Sequence, residues 1–181
     1  DLDGTLVDSQ HALMAALNHA LGHLELPLVN VDDVPGLLGS GLIALIKSVT
    51  SADDPEVLAQ VRHLFDAYYR EHVADLTQCY PGVRETLAAL PGIKKAVYSN
   101  KPHTFTEAVV EAVGLTPYFN LILGAQPETL PLKPDPAGIR HILSTLKISP
   151  ERALMVGDST HDLEAARAAG VPACAVTYGY R

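Results

Sequence analysis

Apolar positions recur at helical spacing through residues 10–75 and then break into short runs. Leu13, Leu17, Leu21 and Leu24 lie three or four residues apart, with Ala12, Ala16 and Ala20 beside them. This predicts a helix after Ser9 that Pro27 and Asn30 end. Leu42, Leu45, Ile46 and Val49 predict a second helical face. Asp54-Pro55 supplies a cap and a first-position proline. Val57, Val61, Leu64 and Tyr68 then carry a third helix to about Ala74. Residues 10–75 are expected to be all-helical.

From Tyr80 the pattern alternates. Pro81-Gly82 opens a helix through Leu90, and Lys95–Ser99 reads as a strand running into the polar trio Ser99-Asn100-Lys101. A helix over 103–114 closes at Gly114, and Leu121–Leu123 is a short strand. Asp135-Pro136 caps the next helix. Ser149-Pro150-Glu151 starts a further unit, whose strand over Ala153–Val156 ends at Gly157-Asp158-Ser159. A helix over 160–169 ends at Gly170, and Pro172–Val176 is a last strand. Strands alternating with helices predict an α/β fold with a doubly wound parallel sheet.

Composition narrows the function. The 181 residues are 48% hydrophobic and 19% charged, an ordinary globular balance. The net charge of −8 argues against a nucleic-acid groove, which needs clustered positive charge. Cys79 and Cys174 lie far apart with no partner motif, so neither a disulfide framework nor a zinc site is expected, and a reducing, cytoplasmic setting fits. No apolar run reaches the length of a membrane span. The chain begins at Asp1 without Met, so a longer natural protein is expected, with a targeting segment upstream left open.

The candidate chemistry starts at Asp1-Leu2-Asp3-Gly4-Thr5. On a straight strand Asp1 and Asp3 face one cavity; if the chain bends at Gly4, Asp3 reaches a different edge of the same substrate. Such a pair can hold a hard cation, attack phosphorus, or divide into acid and base. In parallel sheets ligands bind beyond the carboxyl ends of the strands. Ser99-Asn100 and Asp158-Ser159 fall at such ends, and Lys133 arrives on a loop. Crowded carboxylates require a cation or a proton, and oxygen-only ligands suit magnesium. Lys133 and the Ser99 hydroxyl suit phosphate oxygens, so the set meets the demands of phosphoryl transfer.

Each residue also has a plain structural use. Asp158, Ser99 or Ser159 can cap a helix, Asp162 can sit in a first turn, and Lys133 can be a solvated loop residue. All of these together on one rim is a much poorer account. Other features read as structural. His11, His19 and His23 are expected on the surface, and Lys47 as a snorkelling side chain rather than a Schiff-base nucleophile. The glycines of 35–41 are expected to form a turn rather than a phosphate loop.

With Asp1–Thr5, Ser99-Asn100, Lys133-Pro134 and Gly157-Asp158-Ser159 with Asp162 in that order, the chain resembles the haloacid dehalogenase superfamily, and within it the phosphoglycolate phosphatase-like branch. The resemblance implies a Rossmann-like core over 1–9 and 76–181, with a helical cap over 10–75 inserted after the first motif. It implies that Asp1 attacks phosphorus and that Asp3 protonates the leaving alcohol and then activates water. Ser99, Asn100 and Lys133 would hold the phosphate. Magnesium would be held by Asp1, the Asp3 carbonyl and Asp158, with Asp162 and Ser159 in support. The Gly36–Gly41 turn would contact the leaving group.

The implied substrate is a small phosphorylated metabolite, foremost 2-phosphoglycolate; a sugar phosphate, nucleotide or pyrophosphate is the alternative. A homodimer stays open, and neither nucleic acid nor membrane is an expected partner. Against the family's pattern, the chain lacks the strand that precedes the first Asp, which leaves activity of the chain as it stands in question. A signalling receiver is a poorer match, because its phospho-acceptor Asp follows an earlier acidic pair and it carries no cap. A catalytically silent relative is the remaining reading.

Overall fold

The structure, a computed structural model, describes residues 1–30, 40–50 and 54–180. The element order is β1 (Val7–Asp8), α1 (Gln10–His23), α2 (Leu42–Thr50), α3 (Pro55–His72), β2 (Gln78–Cys79), α4 (Val83–Ala88), β3 (Ala96–Pro102), α5 (His103–Ala112), β4 (Leu121–Ala125), α6 (Ala137–Leu146), β5 (Met155–Gly157), α7 (Thr160–Ala169) and β6 (Ala173–Ala175). β3 pairs with β4 and β5 with β6, both in parallel, each pair joined through a helix. Parallel neighbours need such crossovers, so the α/β reading holds. The Asp1 backbone nitrogen donates to the Val156 carbonyl at 2.8 Å, which lays the first residues alongside β5.

The short β1 was not expected. Val7 and Asp8 pair antiparallel with Cys79 and Gln78. The two ends of the helical stretch are thereby stitched side by side, and helices α1–α3 leave and rejoin the fold at one place.

Most apolar side chains join one core. Leu13, Leu17 and Leu21 of α1, Leu45 and Ile46 of α2, and Val61, Phe65 and Tyr69 of α3 pack with Leu2, Val97, Phe105, Val109 and Val110. A smaller cluster gathers Tyr98, Leu123, Ile139, Leu143, Met155, Ala165, Ala166 and Val171 between the parallel pairs and α6 and α7. Each fully buried Leu or Phe contributes on the order of 2 kcal/mol.

Helix ends show where local signals sufficed. Helices α5 and α7 end as expected at Gly114 and Gly170, where the chain turns left-handed (φ +66° and +74°). The closing bonds run from Leu115 N to Val110 O and from Val171 N to Ala166 O. The same closure ends α1, which stops at His23 instead of running to Pro27: Leu26 N bonds Leu21 O, with Glu25 in the left-handed position at φ 54°. A non-glycine residue there costs about 1 kcal/mol, and the sequence carries no glycine to announce the stop. The Asn18 carboxamide then pins the returning loop, exchanging bonds with both backbone groups of Val29 at 2.8 Å.

Other boundaries move slightly. Helix α3 ends at His72 and α4 at Ala88, both short of expectation. β3 continues past Ser99 to Pro102, because a register shift lets Pro102 pair with Ala125. Helix α6 starts at Ala137, one residue later than expected, although the Asp135 carboxylate still accepts from Ala137 N at 2.8 Å. His23 is exposed and His19 half-buried, ring against ring at 4.2 Å, in keeping with the surface reading. Lys47 is exposed. Of the turn expected over Gly36–Gly41, residues 36–39 lie outside the described residues.

Candidate active site

The first motif is not a straight strand. The Leu2 carbonyl accepts from the backbone N–H groups of Thr5, Leu6 and Val7 at 3.2, 2.8 and 3.1 Å. Gly4 turns the chain at φ +83°, and a Cβ there would lie 2.2 Å from Asp158 Oδ2. Only glycine meets both demands. The bend separates the two carboxylates, so that Asp1 and Asp3 take different lysines.

Lys133 holds Asp1. Its ammonium donates to Asp1 Oδ1 at 2.7 Å, to Asp162 Oδ1 at 2.6 Å and to the Tyr98 carbonyl at 3.2 Å. All three donors of the ammonium are used. The side chain is buried, as is that of Asp162, so the pair is held in a low-dielectric setting with its hydrogen bonds satisfied. The other oxygen of Asp1 has one long contact, from Thr5 Oγ1 at 3.3 Å. The Asn100 carboxamide donates to Lys133 O at 3.0 Å and accepts from Lys133 N at 2.8 Å, setting the loop that delivers the lysine.

Asp162 sits in the first turn of α7. Its Oδ2 accepts from Ser159 N at 3.1 Å and Ser159 Oγ at 2.5 Å, forming a capping box. Burial pushes its carboxyl upward, but the charge and hydrogen bond of Lys133, with the amino terminus and Ser159, together hold it below the usual range. Ser159 therefore serves Asp162. Gly157 makes room for the arrangement, since a Cβ there would stand 2.4 Å from Asp162.

Asp1, Asp158 and Asp162 each place a carboxylate oxygen within 4.8 Å of the others. Asp158 Oδ2 accepts from Tyr180 N at 2.7 Å. Burial raises the Asp158 carboxyl above its usual range, against the hydrogen bond from Tyr180 N that lowers it. The donor set fits a hard divalent cation such as magnesium: oxygen-only, acidic and partly open. The Asp3 carboxylate turns away from this group. The family resemblance assigns Asp3 its metal contact through the backbone carbonyl, which leaves its side chain available for other work.

Asp3 Oδ1 accepts from Lys101 Nζ at 3.0 Å and from Ser9 Oγ at 2.5 Å. Ser9 is itself fixed by Tyr180, whose hydroxyl accepts from Ser9 N at 2.8 Å. Ser99, buried in the middle of β3, accepts from Lys101 N at 3.1 Å. Asp1, Asp3, Ser99, Asn100, Lys133 and Ser159 line one cavity of about 60 Å³, roofed by Leu13, Leu42, Leu45, Phe65 and Phe105. Asp158 and Asp162 are not part of that lining and join the group through Asp1 and, for Asp162, through Lys133. Sequence reasoning missed Lys101, Ser9, Thr5, Tyr69 and Tyr180. Lys101 was within reach, as the last member of the polar trio; the two tyrosines carried no local signal.

The chain is similar to known proteins over nearly its whole length. The profile of the haloacid dehalogenase-like hydrolases matches residues 1–176. A phosphoglycolate phosphatase of Yersinia pestis is 37% identical over 186 residues, covering 99% of this chain and 80% of that protein. One of Pseudomonas putida is 38% identical over 190 residues, covering 99% and 68%. The crystal structure of a predicted phosphoglycolate phosphatase from Haemophilus somnus superposes with a TM-score of 0.92 at 33% identity, over 99% of this chain and 84% of that one.

Proposed function

We propose a function from one premise: the chain belongs to the haloacid dehalogenase-like hydrolase family. The reading is a magnesium-dependent phosphatase that hydrolyses a small phosphate monoester, 2-phosphoglycolate foremost. The observation that carries it is the pair of carboxylates, each held by its own buried lysine, on the wall of a single cavity of about 60 Å³. The relatives named as phosphoglycolate phosphatases support the same substrate.

In this mechanism an Asp1 carboxylate oxygen attacks phosphorus and forms an aspartyl-phosphate as the ester P–O bond breaks. Asp3 gives its proton to the departing alkoxide. Its carboxylate then takes a proton from water, which attacks the same phosphorus and releases phosphate, regenerating Asp1. Lys133 and Ser99 offset charge on the phosphoryl oxygens, and the Asn100 carboxamide keeps Lys133 in place. Asp1, the Asp3 carbonyl and Asp158 would hold magnesium, with Asp162 and Ser159 in support. The ion supplies charge neutralisation at the phosphoryl group.

Residues 10–75 act as a cap over a core of 1–9 and 76–181. The β1–β2 pairing at its two ends and the apolar roof over the cavity support this division, and closure of such a cap excludes water from the intermediate. Among the described residues no helix is long and apolar enough to cross a membrane. The proposed setting is the cytoplasm, with both cysteines unpaired.

Phosphate release with magnesium, measured across 2-phosphoglycolate, sugar phosphates, nucleotides, pyrophosphate and phosphonoacetaldehyde, tests the reading. A sharp preference for 2-phosphoglycolate is expected, with loss of turnover on chelation and a drop of at least about 10³-fold in Asp1→Asn. Turnover that survives Asp1→Asn removes the nucleophile, and indifference to chelation removes magnesium.

A further inference from the structure

Lys101 has no role in the chemistry just described. Its side chain is only 4% exposed, at the end of β3, and a buried lysine needs compensation for the water it has lost. Its ammonium has one hydrogen-bonded carboxylate, Asp3, and stands 5.1 Å from the centre of the Tyr69 ring. Asp3 must share its Oδ1 with Ser9 as well. The Tyr69 hydroxyl is buried beside Lys101 and Thr77, yet makes no hydrogen bond of good geometry among the described residues. Buried hydroxyls ordinarily find a partner. Both side chains line the same cavity as Asp1 and Asp3, among apolar neighbours that strengthen any charge pairing within it.

Position decides what the two groups face. Lys133 stands at Asp1, where phosphorus is attacked. Lys101 stands at Asp3, the acid that must touch the ester oxygen of the departing alcohol. A substituent on the carbon next to that oxygen therefore lies beside Lys101.

We propose that Lys101 and Tyr69 form an anion subsite that binds a carboxylate on the leaving group, one carbon removed from the ester oxygen. The inference deepens the phosphatase reading and rests on it. The ammonium bridges Asp3 and the substrate carboxylate, and the Tyr69 hydroxyl donates to the second carboxylate oxygen. Selection for an acidic leaving group then comes from β3 and α3 together, because a neutral alcohol leaves the buried Tyr69 hydroxyl without a partner and the buried Lys101 ammonium with Asp3 alone.

The test compares 2-phosphoglycolate with ethyl phosphate, a neutral leaving group of similar size, in wild type, Lys101→Met and Tyr69→Phe. The ratio of kcat/KM for the acidic over the neutral substrate is expected to fall about 100-fold in Lys101→Met and about 10-fold in Tyr69→Phe. Glycolate should raise the Tm of wild type and do so much less in either variant. Should Lys101→Met fail to fold, Tyr69→Phe, which removes a single oxygen, carries the test. A ratio unchanged in Tyr69→Phe, or equal losses on both substrates in Lys101→Met, overturns the subsite and leaves the phosphatase reading standing. So does wild type that hydrolyses ethyl phosphate as well as 2-phosphoglycolate. Release of phosphate from neither substrate overturns both.

Discussion

The Asn100 carboxamide grips the backbone of Lys133 from both sides, donating to its carbonyl at 3.0 Å and accepting from its N–H at 2.8 Å. A strand residue thus sets the position of a loop residue 33 places later in the chain, and through it the Asp1–Lys133–Asp162 group. Asn100→Ala leaves two buried backbone groups without that partner. We expect a loss of about 1–3 kcal/mol in stability, measured by denaturant titration, and a fall in kcat/KM of at least about 10-fold. A variant with wild-type kinetics would show that the loop is held by other contacts.

Asp162→Asn tests the other side of the lysine. The amide keeps the shape of the carboxylate but removes its charge, and its nitrogen must face either Lys133 or Ser159, where it cannot accept. Breaking one side of a buried pair is expected to cost about 3 kcal/mol. Unchanged thermal unfolding would mean that Asp1 alone satisfies Lys133.

Gly4→Ala should injure the site through two causes at once. The left-handed φ of +83° costs an alanine about 1 kcal/mol, and its Cβ would stand 2.2 Å from Asp158 Oδ2, which is tied to Tyr180 N. The expected result is a lower Tm together with a requirement for about tenfold more magnesium at half-maximal activity. A stability loss with an unaltered magnesium requirement would separate Gly4 from the cation site.

A pH dependence arises far from the cavity. His23, His19, Tyr68 and His72 stack in a row at 4.2, 4.4 and 4.2 Å, and Asp75 pairs with His72 at 2.7 Å. Partial burial, then the charges of His23 and His72, hold His19 below its ordinary value of 6.5. The unfolded chain therefore binds the proton more readily, so the stability from this group is full above 6.5 and is lost as pH falls below it. Wild-type Tm should drop between about pH 7.5 and pH 5.5 by more than that of His19→Gln. Equal drops would assign the effect to other groups.

Local chemistry made much of the fold legible. Periodic leucines marked α1, Asp54-Pro55 marked the start of α3, and Gly114 and Gly170 marked the ends of α5 and α7. Where the signal residue was absent, the boundary was missed: Glu25 takes the left-handed position that glycine holds elsewhere, paid for by packing along α1 that no local window contains. The strand β1 escaped because two residues carry no periodicity, and its partner lies some 70 positions later.

The sequence alone determined the inventory and its order: acidic pair, polar strand end, lysine loop, acidic helix start. Those depend on residue type and spacing, which a linear reading contains. Only the tertiary structure decided the pairing. The Gly4 bend sent Asp1 to Lys133 and Asp3 to Lys101, and the approach of α3 to β3 set Tyr69 beside that second lysine. The physical reason is that burial gives a charge its strength, and burial is created by elements distant in sequence meeting in space.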